Sequence, residues 1–201
     1  MTEAPSEIQM DALREVANVG CGHAATALSQ LVGGRTVQID VPRVVVSPAL
    51  ELGLVLGGSD KKVVVAVLGL QGELSGWLVL ALAERDARLL TTLMLKEPSI
   101  GKFSSVERSA LGEAANIVAS ACLSAIGKLT GLRLLPSTPQ IAHDIAGQVM
   151  TRTLGHLLPT TQPVVAIEVR FHTAGTPSMG GQLLLIPDSF SLKLLLERLG
   201  V

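Results

Sequence analysis

An internal repeat limits the possible architectures of this 201-residue chain more than any other feature of its sequence. With an offset of 98 residues, positions 11–33 align with positions 109–131, and eight of the 23 aligned positions are identical. Weaker similarity links the strand-then-helix segments farther along each copy. A duplicated unit buries equivalent faces twice. The sequence therefore predicts one domain, 1–201, built from two pseudo-repeats of about 5–100 and 103–201.

Each copy is predicted to begin with one helix of about seven turns. The aligned helix starts are capping boxes, in which a Ser side chain and the residue three positions later satisfy free backbone amides. These pairs are Ser6 with Gln9 and Ser104 with Glu107. Gly33 and Gly131 then supply helix stops, because Gly adopts the left-handed cap conformation at little cost.

Aliphatic and β-branched runs after these helices predict strands. The runs are Val37–Val46, Val63–Leu70, Leu132–Leu135, Val149–Leu154 and Val164–Phe171. The Gly-containing segments 70–77 and 173–182 are typical of hairpin connections. The predicted fold is therefore α+β, a pseudo-twofold duplication with an antiparallel-rich sheet and two long helices that carry the repeated motif.

The composition argues against several functional classes. A formal net charge of −1 with scattered basic residues gives no cationic patch for nucleic acid or anionic lipid, and aromatic residues make up only 2%. The start MTEAPSE does not resemble a signal peptide, and the apolar runs are too short to span a bilayer, so we expect a cytoplasmic protein without membrane insertion. The sequence lacks zinc-ligand spacing and nucleophile motifs. Cys21 and Cys122 are expected to be free thiols in or near the core.

An acid and an amide three residues apart occur on both predicted helices, as Glu15 with Asn18 and as Glu113 with Asn116. At 100° per residue, an apolar stripe lies on the opposite side of each helix. The stripes contain Leu13, Ala17, Gly20, Ala24, Leu28 and Leu31 in the first helix and Leu111, Ala115, Val118, Cys122, Ile126 and Leu129 in the second. A solvated surface is the ordinary interpretation of such a pair. However, neighbouring surface positions differ between the copies whereas the pair does not, which favours a function.

Each pair has equivalent neighbours on its helical face. Asp11 and Ser109 lie one turn before the acid, at about −40° from it. Val19 and Ile117 lie at about 40°, beside the pair, where an exposed aliphatic side chain is typical of a docking contact. Both faces are therefore candidate binding surfaces.

These residues resemble the motif of the CheC/CheX/FliY phosphatases of bacterial chemotaxis, which reads Asp/Ser-x3-Glu-x2-Asn followed by about 22 residues and a Pro. The second copy matches this pattern from Ser109 to Pro139, whereas the first, from Asp11 to Pro42, has one additional residue before the proline. In carrying two complete motifs, the chain resembles the CheC-type members of this family. The resemblance implies hydrolysis of the aspartyl phosphate of a CheY-like response regulator.

The resemblance also implies roles for the repeated residues. Asn18 and Asn116 would orient a water molecule for in-line attack, and Glu15 and Glu113 would pair with a lysine of the regulator. The prolines of the motif would shape supporting loops. No cofactor or metal of its own is expected, because the phosphorylated regulator holds Mg²⁺. The expected partners are the phosphorylated regulator and, as for CheC-type relatives, a CheD deamidase.

The alternative is a non-catalytic module that binds a response regulator, a CheD-like deamidase or a flagellar switch component through the same face. The additional residue before Pro42, and Arg14 in the place of Gly112, favour Asn116 as the stronger of two catalytic sites. His143 is followed by an Asp but has no nucleophile partner in the sequence, so we expect no catalytic role for it.

Overall fold

Apart from one helical turn in the second part, the described helices and strands follow one another in the same order before and after residue 100. The structure, a computed structural model, describes residues 5–48, 60–149, 152, 163–175 and 177–201. The first part of the chain contains α1 (Glu7–Leu31), β1 (Val37–Ile39), β2 (Arg43–Pro48), β3 (Lys62–Gly72), β4 (Gly76–Ala83) and α2 (Glu84–Leu95). The second part contains α3 (Ser105–Thr130), β5 (Leu134–Pro136), β6 (Gln140–Ile145), the single turn α4 (Ala146–Val149), β7 (Pro163–Thr173), β8 (Gly180–Pro187) and α5 (Ser189–Leu199).

The eight described strands form one sheet of antiparallel pairs, as expected. Their order is β1-β7-β8-β4-β3-β5, with β2 also paired to β7 and β6 also paired to β3. Strands β4 and β8 meet at the centre, from Gly76 opposite Pro187 to Leu82 opposite Gly181. The outer strands of each predicted half therefore complete the sheet of the other half.

Helices α1, α2, α3 and α5 pack on one face of the sheet. Their apolar side chains form one cluster with alternate strand residues such as Val64, Leu80 and Ile167. The opposite face has a second apolar cluster, in which α4 contributes Ala146 and Val149. Burial on both faces explains why the central strands are almost continuously aliphatic.

Both long helices begin as the sequence predicts. Ser6 N donates to Gln9 Oε1 at 3.0 Å, and Gln9 N donates to Ser6 Oγ at 3.3 Å. The equivalent bonds between Ser104 and Glu107 are 2.7 and 3.2 Å long. Gly131 caps α3 in the left-handed conformation, with φ of 73°. The capping boxes and the α3 stop are thus confirmed.

The predicted apolar stripes of α1 and α3 face the core, with one exception. Leu129 is 49% exposed because it lies in the last turn of α3, past the buried Ile126. Cys21 and Cys122 are both buried free thiols, as expected. The hydrogen bond with Cys21 and burial raise the pKa of the Cys122 thiol well above its usual value, so Cys122 stays protonated.

The structure corrects one strand prediction and adds one strand that the sequence did not predict. The run Val149–Leu154 was expected to be a strand, but Val149 ends the helical turn α4, and most of the remaining run lies outside the described residues. Strand β6 was not expected, because three of the six residues of its sequence QIAHDI are polar. In the described part of the chain β6 pairs only with β3, and its central side chains are half-buried, so it tolerates polar residues.

One described helix, α3, is long and apolar enough to cross a membrane by length and composition. Of its most apolar 18-residue window, 61% is buried inside the fold. The apolar residues of α3 are therefore explained by its position as a core helix.

Candidate functional site

The second Glu–Asn pair borders a cleft on the outer side of α3. Glu113 is exposed and Asn116 is half-buried. The cleft has a volume of about 470 Å³. It is lined by Arg108, Ser109, Gly112, Glu113 and Asn116 from α3 and by Pro136, Ser137, Thr138, Pro139 and Ile141 from β5, β6 and their connection. Three predicted site residues, Ser109, Glu113 and Pro139, thus meet Asn116 in one place.

The β5–β6 connection is held beside α3 by the neighbouring strand β3. Ser137 N donates to the Gly69 carbonyl at 2.8 Å, and Gly69 N donates to Ser137 Oγ at 2.8 Å. Pro139 follows and forms the wall of the cleft. A Cβ atom at Gly112 would lie 3.6 Å from Pro139 Cγ, in ordinary contact distance. The absence of a side chain at Gly112 therefore leaves the cleft open.

The first Glu–Asn pair has a different environment. Asp11, Glu15 and Asn18 are exposed on the outer side of α1. Asp11 forms an ion pair with Arg14, which occupies the place of Gly112 in the repeat. Pro42 is buried between β1 and β2. A charged, ion-paired side chain thus stands where the second site has open space.

The four acid and amide side chains of the two motifs make no hydrogen bond or ion pair with any other described residue. They are Glu15, Asn18, Glu113 and Asn116. Val19 and Ile117, beside them, are half-buried, so each keeps part of its surface accessible. Both faces are available to another molecule, and the docking role of these two aliphatic residues stays a prediction.

A polar network supports the second site from its N-terminal side. His143 Nε2 lies 3.2 Å from Glu84 Oε2, and Arg88 donates to Glu84 Oε1 at 2.6 Å. The Arg88 guanidinium also lies 4.5 Å from the ring centre of Phe103, and the Phe103 and His143 rings are nearly perpendicular, with their centres 5.1 Å apart. The hydrogen bond from Arg88, followed by that from His143, lowers the pKa of Glu84. The network joins α2 and β6 to the segment that leads into α3.

The arrangement can bind and orient another molecule. His143 is engaged by Glu84 and Phe103. Within the described ranges, no group of three or more His, Cys, Asp or Glu side chains is placed to hold a metal ion. A carboxylate and an amide beside an open cleft can accept a cation and orient a polar molecule.

Several cleft residues were missed by sequence reasoning. Gly112 lies at about −100° from Glu113, on the same side as Asn116. The repeat identified it as the counterpart of Arg14, but not as part of a cleft. Arg108 lies beyond Gly112 on the same flank. Ser137 and Thr138 reach the cleft through the pairing of β5 and β6 with β3, which no local pattern encodes. Their position directly before the motif proline was the available signal.

Comparison with known proteins places the two motif segments in one family. The CheC-like family matches residues 8–46 and 106–143, which include both Glu–Asn pairs. The chain is 30% identical over 200 residues to the CheY-P phosphatase CheC of Bacillus subtilis (strain 168), covering 96% of this chain and 95% of that protein.

Solved structures share the fold. FliY of Thermotoga maritima superposes with a TM-score of 0.80 at 21% identity, covering 98% of each chain. A chain of the CheX–CheY–BeF₃–Mg²⁺ complex from Borrelia burgdorferi superposes with a TM-score of 0.57 at 14% identity, covering 84% of this chain and 96% of that chain. These likenesses confirm the expected fold. The 30% identity to CheC over nearly the whole length of both proteins establishes that this chain belongs to the CheC-like family.

Proposed function

We propose that this protein is an enzyme that hydrolyses the aspartyl phosphate of a CheY-like response regulator. The observation that carries the proposal is the Glu113–Asn116 pair, which lies beside an open cleft, has no hydrogen-bond or ion-pair partner among the described residues, and recurs as Glu15–Asn18. The 30% identity to a CheY-P phosphatase supports the same reaction.

The reaction needs a positioned water more than it needs a nucleophilic side chain. An acyl phosphate has a good leaving group, and its phosphoryl transfer is promoted chiefly by alignment and charge stabilisation. The Asn116 amide can accept a hydrogen bond from the attacking water through Oδ1, which leaves a lone pair of the water free to point in line with the breaking bond, while Nδ2 stays available to donate to another acceptor. A bond forms between the water oxygen and phosphorus, and the bond from phosphorus to the aspartate oxygen breaks. The products are the carboxylate, inorganic phosphate and a proton released to solvent.

Glu113 sets the register of the complex. It lies one turn before Asn116 on the same face and is exposed, so it can pair with a lysine beside the phosphorylated aspartate. An exposed ion pair contributes little affinity, about 0–1 kcal/mol, so its effect is on orientation. The cleft beside Gly112 gives room for the loop of the regulator that carries the phosphoryl group.

The remaining components belong to the partner or stay predictions. Mg²⁺ is part of the phosphorylated regulator, which is the substrate, and the chain itself contributes an amide and a carboxylate. A CheD-like deamidase as a second partner, and the cytoplasm as the location, are predictions from the sequence.

The test is the decay of a phosphorylated CheY-like regulator encoded by the same genome. Wild type, Asn18→Ala, Asn116→Ala and the double variant are compared at substoichiometric concentration, with binding measured for each. We expect wild type to accelerate the decay of the phosphorylated regulator and the double variant to leave the regulator's own decay rate unchanged. Every variant is expected to bind the regulator. Unchanged decay with wild type, with binding confirmed, would contradict phosphatase activity and leave the alternative, a non-catalytic binding module.

A further inference from the structure

Two large aliphatic side chains are exposed at the start of the motif helices. Ile8 in the first turn of α1 is 70% exposed, and Val106 in the first turn of α3 is 60% exposed. The two positions are equivalent in the repeat, with the same offset of 98. The same unfavourable exposure thus occurs twice, at one structural position.

Both side chains lie on the face of the Glu–Asn pair. At 100° per residue, Val106 is about 20° from Glu113 and about 10 Å from it along the helix axis. Ile117 lies at about 40°, so Val106 and Ile117 flank Glu113 on the side opposite Gly112 and the cleft. Ile8 and Val19 flank Glu15 in the same way. We call these four residues the apolar margin.

The residues of the apolar margin are β-branched and aliphatic in both copies of the repeat, whereas the residues next to them differ between the copies. The helix residues around Ile8 and Val106 differ in charge or polarity between the copies. These pairs are Glu7 and Ser105, Gln9 and Glu107, and Met10 and Arg108. Exposed positions free of function change type readily, because most surface substitutions hardly alter stability. A β-branched aliphatic residue in both copies therefore indicates a contact outside the chain.

We propose that the apolar margin docks the receiver domain of the phosphorylated regulator, an inference that rests on the proposed function. Val106 and Asn116 are ten residues apart, about 15 Å along α3, which fits within one partner footprint of about 800 Å². One receiver surface thus covers the margin and the Glu–Asn pair together. The regulator must present an apolar patch about 15 Å from its phosphorylated aspartate. Burial of the margin supplies affinity, Glu113 sets register and Asn116 acts on the phosphoryl group.

The test measures regulator-dependent kinetics of Val106→Ala in an Asn18→Ala background, so that only the second site turns over. Truncation of a side chain that is buried only in the complex removes binding from ground state and transition state alike, so KM rises about fivefold with kcat unchanged. Alanine is a better helix former than valine, and the position is exposed, so the variant retains its fold. Ile8→Ala in an Asn116→Ala background gives the same result for the first site if that site is active.

The matched control is Phe190→Ala, which removes an apolar side chain that is 74% exposed in the first turn of α5, outside the margin. In the Asn18→Ala background, Phe190→Ala is expected to leave KM for the phosphorylated regulator unchanged. Binding of beryllofluoride-loaded regulator is measured in parallel by fluorescence anisotropy. An unchanged KM and an unchanged Kd for Val106→Ala overturn the docking inference and leave the phosphatase proposal intact. If the wild-type protein does not accelerate dephosphorylation but Val106→Ala binds the regulator more weakly than wild type does, the docking inference is supported and the phosphatase proposal is contradicted.

Discussion

At the scale of single residues, Arg14 and Gly112 make the two motifs chemically unequal. The Arg14 guanidinium pairs with Asp11 beside the first site, whereas Gly112 opens the cleft beside the second. We therefore expect Asn116→Ala to lower turnover on the order of a hundredfold, the usual cost of a misplaced reacting group, and Asn18→Ala to have a much smaller effect. Rates of regulator dephosphorylation at saturating substrate give the ranking. Equal losses from the two substitutions would show that the cleft does not decide activity.

A reciprocal exchange tests the same difference more directly. Gly112→Arg in the Asn18→Ala background fills the cleft, so we expect turnover to fall at least tenfold. Arg14→Ala in the Asn116→Ala background removes the ion pair from the first site and is expected to raise its turnover. Arg198→Ala, on α5, is the control for loss of one positive charge. If Arg14→Ala changes nothing, the additional residue before Pro42 is the better explanation of a weak first site.

At the scale of elements, the spacing of the two motif helices depends on Gly20. A Cβ atom there would lie 2.9 Å from Ile126 Cγ1 and 3.0 Å from Cys122 Sγ, both on α3. At Gly22, on the outer side of α1, a Cβ atom would have no atom within 4 Å. Gly20→Val is therefore expected to lower the free energy of unfolding by about 1–3 kcal/mol relative to Gly22→Val. Helix propensity cancels in this comparison, and urea denaturation measures it. Equal midpoints would mean that α1 and α3 separate at little cost.

The contact of α2 with β6 gives a pH dependence. Arg88 first, and then His143, hold the pKa of Glu84 below its ordinary value of 4.5. A lowered native pKa adds stability above the unfolded-state pKa, and that stability is lost as the pH falls from about 4.5 through the native value. We expect Glu84→Gln to cost about 1–2 kcal/mol near neutral pH and progressively less in acid.

Urea denaturation of wild type and Glu84→Gln at several pH values between about 7 and 3.5 measures this change. Glu97→Gln, just after α2, is the control for loss of one surface carboxylate. If the two variants differ from wild type equally at every pH, the bonds of Glu84 to Arg88 and His143 do not stabilise the fold.

Local patterns predicted the elements that depend on local forces. Capping boxes, helix lengths and hairpins follow from residues close in sequence, and these predictions agree with the structure. Strand β6 was missed because it is defined by pairing with β3, about 80 residues away, rather than by its own composition. The cleft has the same origin, since Ser137 reaches it through hydrogen bonds with Gly69. The sequence thus predicted the motif residues, including Pro139, but not Ser137 and Thr138 beside it.

At the scale of the whole molecule, the sheet interleaves the two predicted halves. Strands β1 and β2 of the first half pair with β7 of the second. Strands β5 and β6 of the second half pair with β3 of the first, so the outer strands of each half extend the sheet of the other. Trp77 on β4, the only tryptophan of the chain, lies opposite Ile186 of β8 at the boundary between the halves. Separation of the halves would expose strand edges on both sides and the apolar faces of β3 and β7. Neither half has a complete sheet by itself.

The prediction of one domain can therefore be tested through cooperativity. We expect Trp77 fluorescence and far-ultraviolet circular dichroism to report one coincident urea transition, and calorimetric and van't Hoff enthalpies to agree. Segments 1–100 and 103–201, produced separately, are expected to be unfolded alone and to regain the circular dichroism of the intact chain when mixed, because each supplies strands that the other lacks. An independent transition of either segment would contradict this interdependence and would make each repeat a domain. Reconstitution together with restored phosphatase activity would show that both motif helices need the shared sheet to hold their sites.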